Sequence, residues 1–152
     1  MVKNSQKYFW VIGGGILQVP LIKEAKKLNY KIILTDSDKN CICKELASYF
    51  EAIDIFDIDG HIEYAKQLTN SGVLITGILA AGIDAPETMS KVAEILNLPA
   101  VSSKIAHLVN NKEIFRVEMK KLGIATPKFQ SISLNNIDEL PGIIDKIGFP
   151  LI

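Results

Sequence analysis

The sequence predicts a doubly wound α/β fold: a three-layer sandwich with helices on both faces of a mostly parallel sheet. Three observations predict it. Short apolar runs alternate with helical-period segments through the first hundred residues. The first run ends directly in Gly13-Gly14-Gly15. The runs at Lys7–Ile12 and Lys31–Thr35 are rich in β-branched or aromatic residues, as strands covered on both faces are.

Taken in order, Lys7 to Ile12 (KYFWVI) reads as a buried first strand. Ile16 to Leu28 places Leu21, Ile22, Ala25 and Leu28 at helical spacing, and Asn29 supplies a stop. Lys31 to Thr35 is a second strand bounded by Asp36. Asn40 to Phe50 reads as a short helix and Ala52 to Ile55 as a short third strand. Gly60 to Asn70 is a helix with Ile62, Ala65 and Leu68 on one face, and Val73 to Leu79 a fourth strand. Asp84 and Glu87 have capping-box spacing, and Pro86 between them suits a first helical turn. Met89, Val92, Ala93 and Leu96 then form a buried stripe.

After Leu98-Pro99 the character changes. Ser102 or Ser103 can cap a short helix through Val109, and Asn111 another from Lys112 to Leu122 that Gly123 ends. Pro127 opens an extended segment. A helical stretch from about Asn136 to Ile147 is interrupted or restarted at Pro141-Gly142. The reading is a Rossmann-like domain over residues 1–105 and, over 106–152, a linker helix and the incomplete start of a second α+β unit.

Composition narrows the function. The 152 residues hold 17 Lys plus Arg against 17 Asp plus Glu, so there is no basic surplus for nucleic acid or an anionic membrane. No apolar run reaches the ~18 residues that span a bilayer, and the polar start lacks a signal core. The expectation is a cytoplasmic protein. Cys41 and Cys43 are too close for a good intrachain disulfide and too few for a zinc site, so they read as free thiols.

Three segments carry candidate chemistry. Gly13, Gly14 and Gly15, between a strand and a helix, form either a tight turn or a loop that brings backbone N–H groups close to an anionic ligand. A dinucleotide fingerprint would need a third glycine where Gln18 stands, while Asp36 occupies the ribose-binding position. Gly82, Asp84 and Glu87 follow the fourth strand, at the sheet edge where such folds bind ligands; they either cap a helix or contact substrate. Lys112, in the first turn of its helix, opposes the helix dipole and is either a solvated lysine or a phosphate contact. Other patterns fail. Asp57-Ile58-Asp59-Gly60 lacks the calcium-loop ligands before and after it, His61 and His107 have no metal-spaced partners, and there is neither a nucleophile elbow nor a Walker lysine.

With these residues assembled, the chain resembles the ATP-grasp superfamily, in particular the carbamoyl-phosphate synthase large subunit, biotin carboxylase and related carboxylate–amine ligases. The resemblance rests on the glycine loop, on Gly82-Ile83-Asp84 leading to Leu96-Asn97-Leu98-Pro99, on Asn111-Lys112 opening a helix that ends in Leu122-Gly123-Ile124-Ala125-Thr126-Pro127, and on Gly148-Phe149-Pro150-Leu151-Ile152. It implies that residues 1–105 are a pre-ATP-grasp substrate domain and that 106–152 begin an ATP-grasp subdomain. It further implies activation of a carboxylate or bicarbonate as an acyl phosphate for attack by an amine. Gly13, Gly14, Gly15, Asp36, Gly82, Asp84 and Glu87 become substrate contacts, and Lys112 a contact to the ATP phosphates. The family's adenine-side lysine, glycine-rich lid and Mg2+-binding acids are expected beyond residue 152. No catalytic residue is therefore expected within these residues, and they alone are expected not to turn over ATP. The implied partners are small-molecule carboxylate and amine substrates, with a homodimer or a chain carrying the rest of the module as further options. The alternative is a stand-alone NAD(P)- or nucleotide-binding Rossmann module without ligase activity.

Overall fold

The computed structural model describes residues 6–151. The polar Met1–Ser5 stretch and Ile152, which closes the terminal motif, lie outside the described residues. By contacts the chain forms two compact units, 1–110 and 111–152.

The first unit is built on four parallel strands: β1 (Lys7–Ile12), β2 (Lys31–Thr35), β3 (Tyr49–Glu51) and β4 (Leu74–Ala80), in the order β3-β2-β1-β4. The helices are α1 (Val19–Lys27), α2 (Ile58–Asn70), α3 (Pro86–Ile95) and α4 (Ser103–Asn110). Because strand side chains alternate, β1 and β2 each feed two cores. Trp10, Ile12 and Ile33 pack with Tyr64 and Leu68 of α2 and Val92 of α3. Val11, Ile32 and Leu34 pack with Ile22 and Ala25 of α1. Two cores on opposite faces of one sheet make the expected three-layer α/β sandwich. The chain runs outward through β1, β2 and β3 and then returns to place β4 on the far side of β1. This reversal creates a switch point between β1 and β4, where the loops after the two strands diverge and leave a crevice.

Local chemistry sets the helix starts. The Asp57 carboxylate accepts the Gly60 N–H at 2.9 Å and begins α2, two residues earlier than the sequence pattern suggests. Glu94 of α3 accepts the Ser103 N–H at 2.6 Å at the start of α4, and this bond holds its carboxyl below the usual range.

Four sequence expectations are corrected. Residues 40–50 are not a helix: a 3-10 turn at Lys44–Leu46 is followed by β3, which pairs Tyr49 with Ile33 and Glu51 with Thr35. The third strand thus lies earlier than Ala52–Ile55, because pairing with β2 outweighs local helical spacing. The helix predicted from Ile16 begins as a 3-10 turn, Ile16–Gln18, and becomes α1 only at Val19. Asp84 does not cap α3: Ala85 holds the N-cap position without a side-chain bond, and Asp84 is exposed.

The second unit contains α5 (Lys112–Lys121) and α6 (Leu140–Ile147), with a 3-10 segment at Leu134–Glu139. Asn111 caps α5 as its sequence position predicts, accepting the Ile114 N–H at 3.1 Å. α6 starts at Leu140 with Pro141 in its first turn, so the Pro-Gly pair marks a restart rather than a break.

Candidate functional site

The loops that follow all four strands meet at the carboxyl edge of the sheet. They enclose a cleft of about 450 Å³. Gly13 and Gly15 come from the loop after β1, Asp36 from that after β2, Asp54 and Phe56 from that after β3, and Gly82 from that after β4. Four of the residues singled out in the sequence are therefore neighbours here.

The remaining candidates are placed differently. Gly14 is buried behind the cleft wall. Asp84 is exposed and does not line the cleft, and Glu87 lies 3.2 Å from His107 Nδ1 on α4. Lys112 opens α5 in the second unit, exposed and without an ion-pair partner among the described residues.

The glycine loop is tied down by the protein itself. The Gly13 N–H donates to the Thr35 carbonyl at 2.7 Å, and Gly13 has the positive φ of 86° that glycine tolerates. The Gly14 N–H donates to Asp36 Oδ2 at 2.6 Å, while Asp36 Oδ1 accepts the Asp38 N–H at 2.8 Å. Two of the amides that could have faced an anion are thus already bonded inward. A Cβ on Gly14 would meet Cys41 Sγ at 2.5 Å, so this glycine makes room for a cysteine. Cys43 completes the clamp, its backbone N–H donating to the Gly14 carbonyl at 3.0 Å and its thiol to the Gly15 carbonyl at 3.2 Å. Both thiols are buried and pushed up in pKa, first by burial; the nearby Asp36 charge adds to the shift. They are packing groups rather than reactive thiolates.

Gln18 stands where a dinucleotide loop would have its third glycine. Its side chain is buried, and Nε2 donates to the Ala81 carbonyl, joining the loop after β1 to the loop after β4 across the switch point. The sequence marked this position only as a departure from a fingerprint. In the fold it is a strut.

Thr35 connects the glycine loop to a buried polar chain. Trp10 Nε1–H donates to Thr35 Oγ1 at 3.1 Å, Thr35 Oγ1 lies 2.9 Å from His61 Nε2, and His61 Nδ1 lies 2.7 Å from the Asp57 carbonyl. A carbonyl only accepts, so Nδ1 carries the proton and Nε2 accepts from Thr35. Burial pushes the His61 pKa down and keeps the ring neutral. His61 is therefore a satisfied core histidine. Among the described residues no cluster of metal-ligating side chains occurs.

Asp54 and Phe56 are among the cleft residues that the sequence reading missed, with Ile16, Leu17 and Ser37. It placed Asp54 inside the third strand. Setting β3 at Tyr49–Glu51 turns Asp54 into a post-strand residue, and the rule that such sheets bind ligands beyond their strand ends would then have selected it.

No family model matches the chain. A formate-dependent phosphoribosylglycinamide formyltransferase of Prochlorococcus marinus subsp. pastoris (strain CCMP1986 / NIES-2087 / MED4) is 30% identical over 150 residues, covering 99% of this chain and 37% of that protein. Among solved structures, N5-carboxyaminoimidazole synthetase from Staphylococcus aureus, complexed with ADP, aligns with a TM-score of 0.66 at 21% identity, over 97% of this chain and 38% of its own. Phosphoribosylglycinamide synthetase from Anaerococcus prevotii aligns with a TM-score of 0.68 at 21% identity, over 95% of this chain and 35% of its own. The chain carries the N-terminal fold of the ATP-grasp enzymes. It spans little more than a third of the length of these ATP-grasp relatives. No helix among the described residues is long and apolar enough to cross a membrane.

Proposed function

We propose that the chain is the substrate-binding N-terminal part of a cytoplasmic ATP-dependent ligase that joins an activated carboxylate or bicarbonate to an amine. The observation that carries this reading is the cleft. Four post-strand loops converge on one site, yet the Gly13 and Gly14 amides are bonded to Thr35 and Asp36 rather than turned outward. Such a loop suits a rigid substrate wall better than a nucleotide cradle. The similarity to ATP-grasp enzymes over nearly the whole chain supports the same reading.

On this reading residues 1–105 form the pre-ATP-grasp domain, and 106–152 the linker helix and first part of the ATP-grasp subdomain. Gly13, Gly15, Asp36 and Gly82 would face substrate directly. Gly14 would act by setting the loop, and Asp84 and Glu87 would contribute from the rim of the α3 start. Lys112 would hold a phosphate of ATP: its ammonium is exposed and free of a carboxylate partner among the described residues, which fits that role. ATP, bound with Mg2+ on residues outside this chain, would supply the phosphoryl group that activates the carboxylate. Activation of bicarbonate in the manner of carbamoyl-phosphate synthase is one form of this chemistry. A chain carrying the rest of the module would complete the site, and a homodimer is the other assembly this reading allows.

The alternative, an NAD(P)-binding module, is supported less well. The Gly13 and Gly14 amides that would face a pyrophosphate are bonded inward, and the bulk of Gln18 replaces the third glycine. The test is ADP release by the complete gene product in the presence of candidate acids and amines. Acid- and amine-dependent turnover that falls at least tenfold in Lys112→Ala is expected. NADH binding to residues 1–152 that is lost on Asp36→Ala, with no ATP turnover, would overturn the reading.

A further inference from the structure

The lining of the cleft has a chemical bias that none of the relatives' names suggests. Among the described residues no lysine, arginine or histidine faces it, while two aspartates do. Neither Asp36 nor Asp54 has an ion-pair partner among the described residues. The cationic side chains that follow on the β2–β3 loop do not reach in. Lys39 and Lys44 are absent from the lining, and Lys44 Nζ donates to the Lys39 carbonyl and sits over the Phe50 ring. Each aspartate uses part of its capacity on the backbone: Asp36 on Gly14 and Asp38, Asp54 Oδ1 on the Phe56 N–H at 2.9 Å. A carboxylate has about four acceptor positions, so both retain lone pairs for a ligand. Three large apolar side chains of the lining are strongly exposed: Ile16 is 64%, Leu17 65% and Phe56 65% accessible. Large apolar side chains held open around a cleft mark a surface that a ligand covers.

Negative charge without a compensating cation repels a phosphate ester, and the inward bonding of the Gly13 and Gly14 amides removes two backbone donors that could have offset the repulsion. The same charge attracts an ammonium group. We infer that the cleft binds the amine end of a small, apolar, unphosphorylated molecule, with its ammonium group toward Asp36 and Asp54 and its hydrocarbon body against Ile16, Leu17 and Phe56. The inference deepens the ligase reading by naming the class of its amine substrate, and rests on that reading only for what the amine does once bound.

The test uses the 152-residue chain and two probes, isoamylamine hydrochloride and inorganic phosphate, with sodium chloride as the ionic-strength control. Backbone amide shifts of Gly15, Gly82 and Ile83 report on the cleft. Saturable shifts with isoamylamine, and none with phosphate beyond the salt control, are expected. Asp54→Asn keeps a side-chain oxygen for the Phe56 N–H but loses the charge, and should weaken amine binding roughly tenfold. Saturable binding of phosphate at these amides would overturn the inference. So would absence of amine shifts, or unchanged amine affinity in Asp54→Asn. Amine binding without ATP turnover in the complete gene product would leave the inference standing and remove the ligase reading. Turnover without amine binding in the cleft would do the reverse.

Discussion

The two units of the chain differ in what they bury. In the first, Trp10, Ile12, Ile33 and Val92 on one face of the sheet and Val11, Ile22, Ile32 and Leu34 on the other are completely buried. In the second, no residue from 111 to 151 is buried, and Leu134 and Phe149 are 88% and 81% exposed. Yet both units have capped helices with helical-period apolar residues. Secondary structure and a core are therefore separate achievements. A capped amphipathic helix forms from local information, but its apolar stripe contributes stability only where another layer covers it. The first unit supplies that layer from its own sheet, and the second does not.

The sharpest way to break this contrast is to truncate one apolar side chain in each unit. Trp10 is buried, bonded to Thr35 and set edge-on to Tyr64 at 5.5 Å between ring centroids. Trp10→Ala should destabilise the chain by about 3–5 kcal/mol in urea unfolding followed by circular dichroism. Leu134→Ala should change it by less than about 0.5 kcal/mol. Equal losses would show that the second unit has a core after all.

A second comparison lies within the first unit, between its apolar core and the buried polar chain through Trp10, Thr35 and His61. His61→Phe removes the acceptor for Thr35 and should cost about 1–3 kcal/mol. The pH dependence follows from burial. The folded-state pKa of His61 is lowered from the usual 6.5, so the unfolded chain takes up a proton first as pH falls. This contribution is whole above about pH 6.5 and is lost as pH falls from there through the folded-state pKa. Unfolding free energies at pH 7.5 and pH 5.5 should therefore fall more in the natural chain than in His61→Phe. An equal fall in both would mean that other groups carry the acid sensitivity.

The glycine loop offers a smaller effect with a sharper diagnosis. Gly14→Ala should cost about 1–3 kcal/mol, because the new methyl meets Cys41 Sγ. Cys41→Ala removes that sulfur, so the double variant should recover most of the loss, with coupling visible in a double-mutant cycle. Additive losses would mean that Gly14 is required for something other than room for Cys41.

These pairs also show where the sequence was legible. Strands β1, β2 and β4 and helices α2, α3 and α5 could be read because each has a local signature: a dense apolar run, a helical stripe or a cap. Residues 40–51 could not. The turn at Cys41–Cys43 is set by contact with Gly14 and Gly15, and β3 by pairing with β2, and both partners are distant in sequence. The same error hid Asp54, which the misplaced strand contained. Gln18 illustrates a different limit. A fingerprint registers a missing glycine, but only the fold shows the amide that replaces it reaching Ala81.

A smaller loss is expected from local structure at two helix starts, one in each unit. Asn111 and Asp84 both precede helices and look equally suited to cap them. In the fold Asn111 accepts the Ile114 N–H, whereas Asp84 is exposed and Ala85 occupies the cap position. Asn111→Ala should therefore cost α5 about 1 kcal/mol and speed amide hydrogen exchange at Ile114. Asp84→Ala should leave exchange in the first turn of α3 nearly unchanged, since that turn is held by Pro86 and by the 2.6 Å bond from Thr88 Oγ1 to the Ile55 carbonyl. Faster exchange at Met89 in Asp84→Ala would restore the capping role that the sequence spacing suggests. Unchanged exchange at Ile114 in Asn111→Ala would mean that α5 is held by packing from outside its own unit, and the contrast between a self-sufficient first unit and an uncovered second would then have to be redrawn.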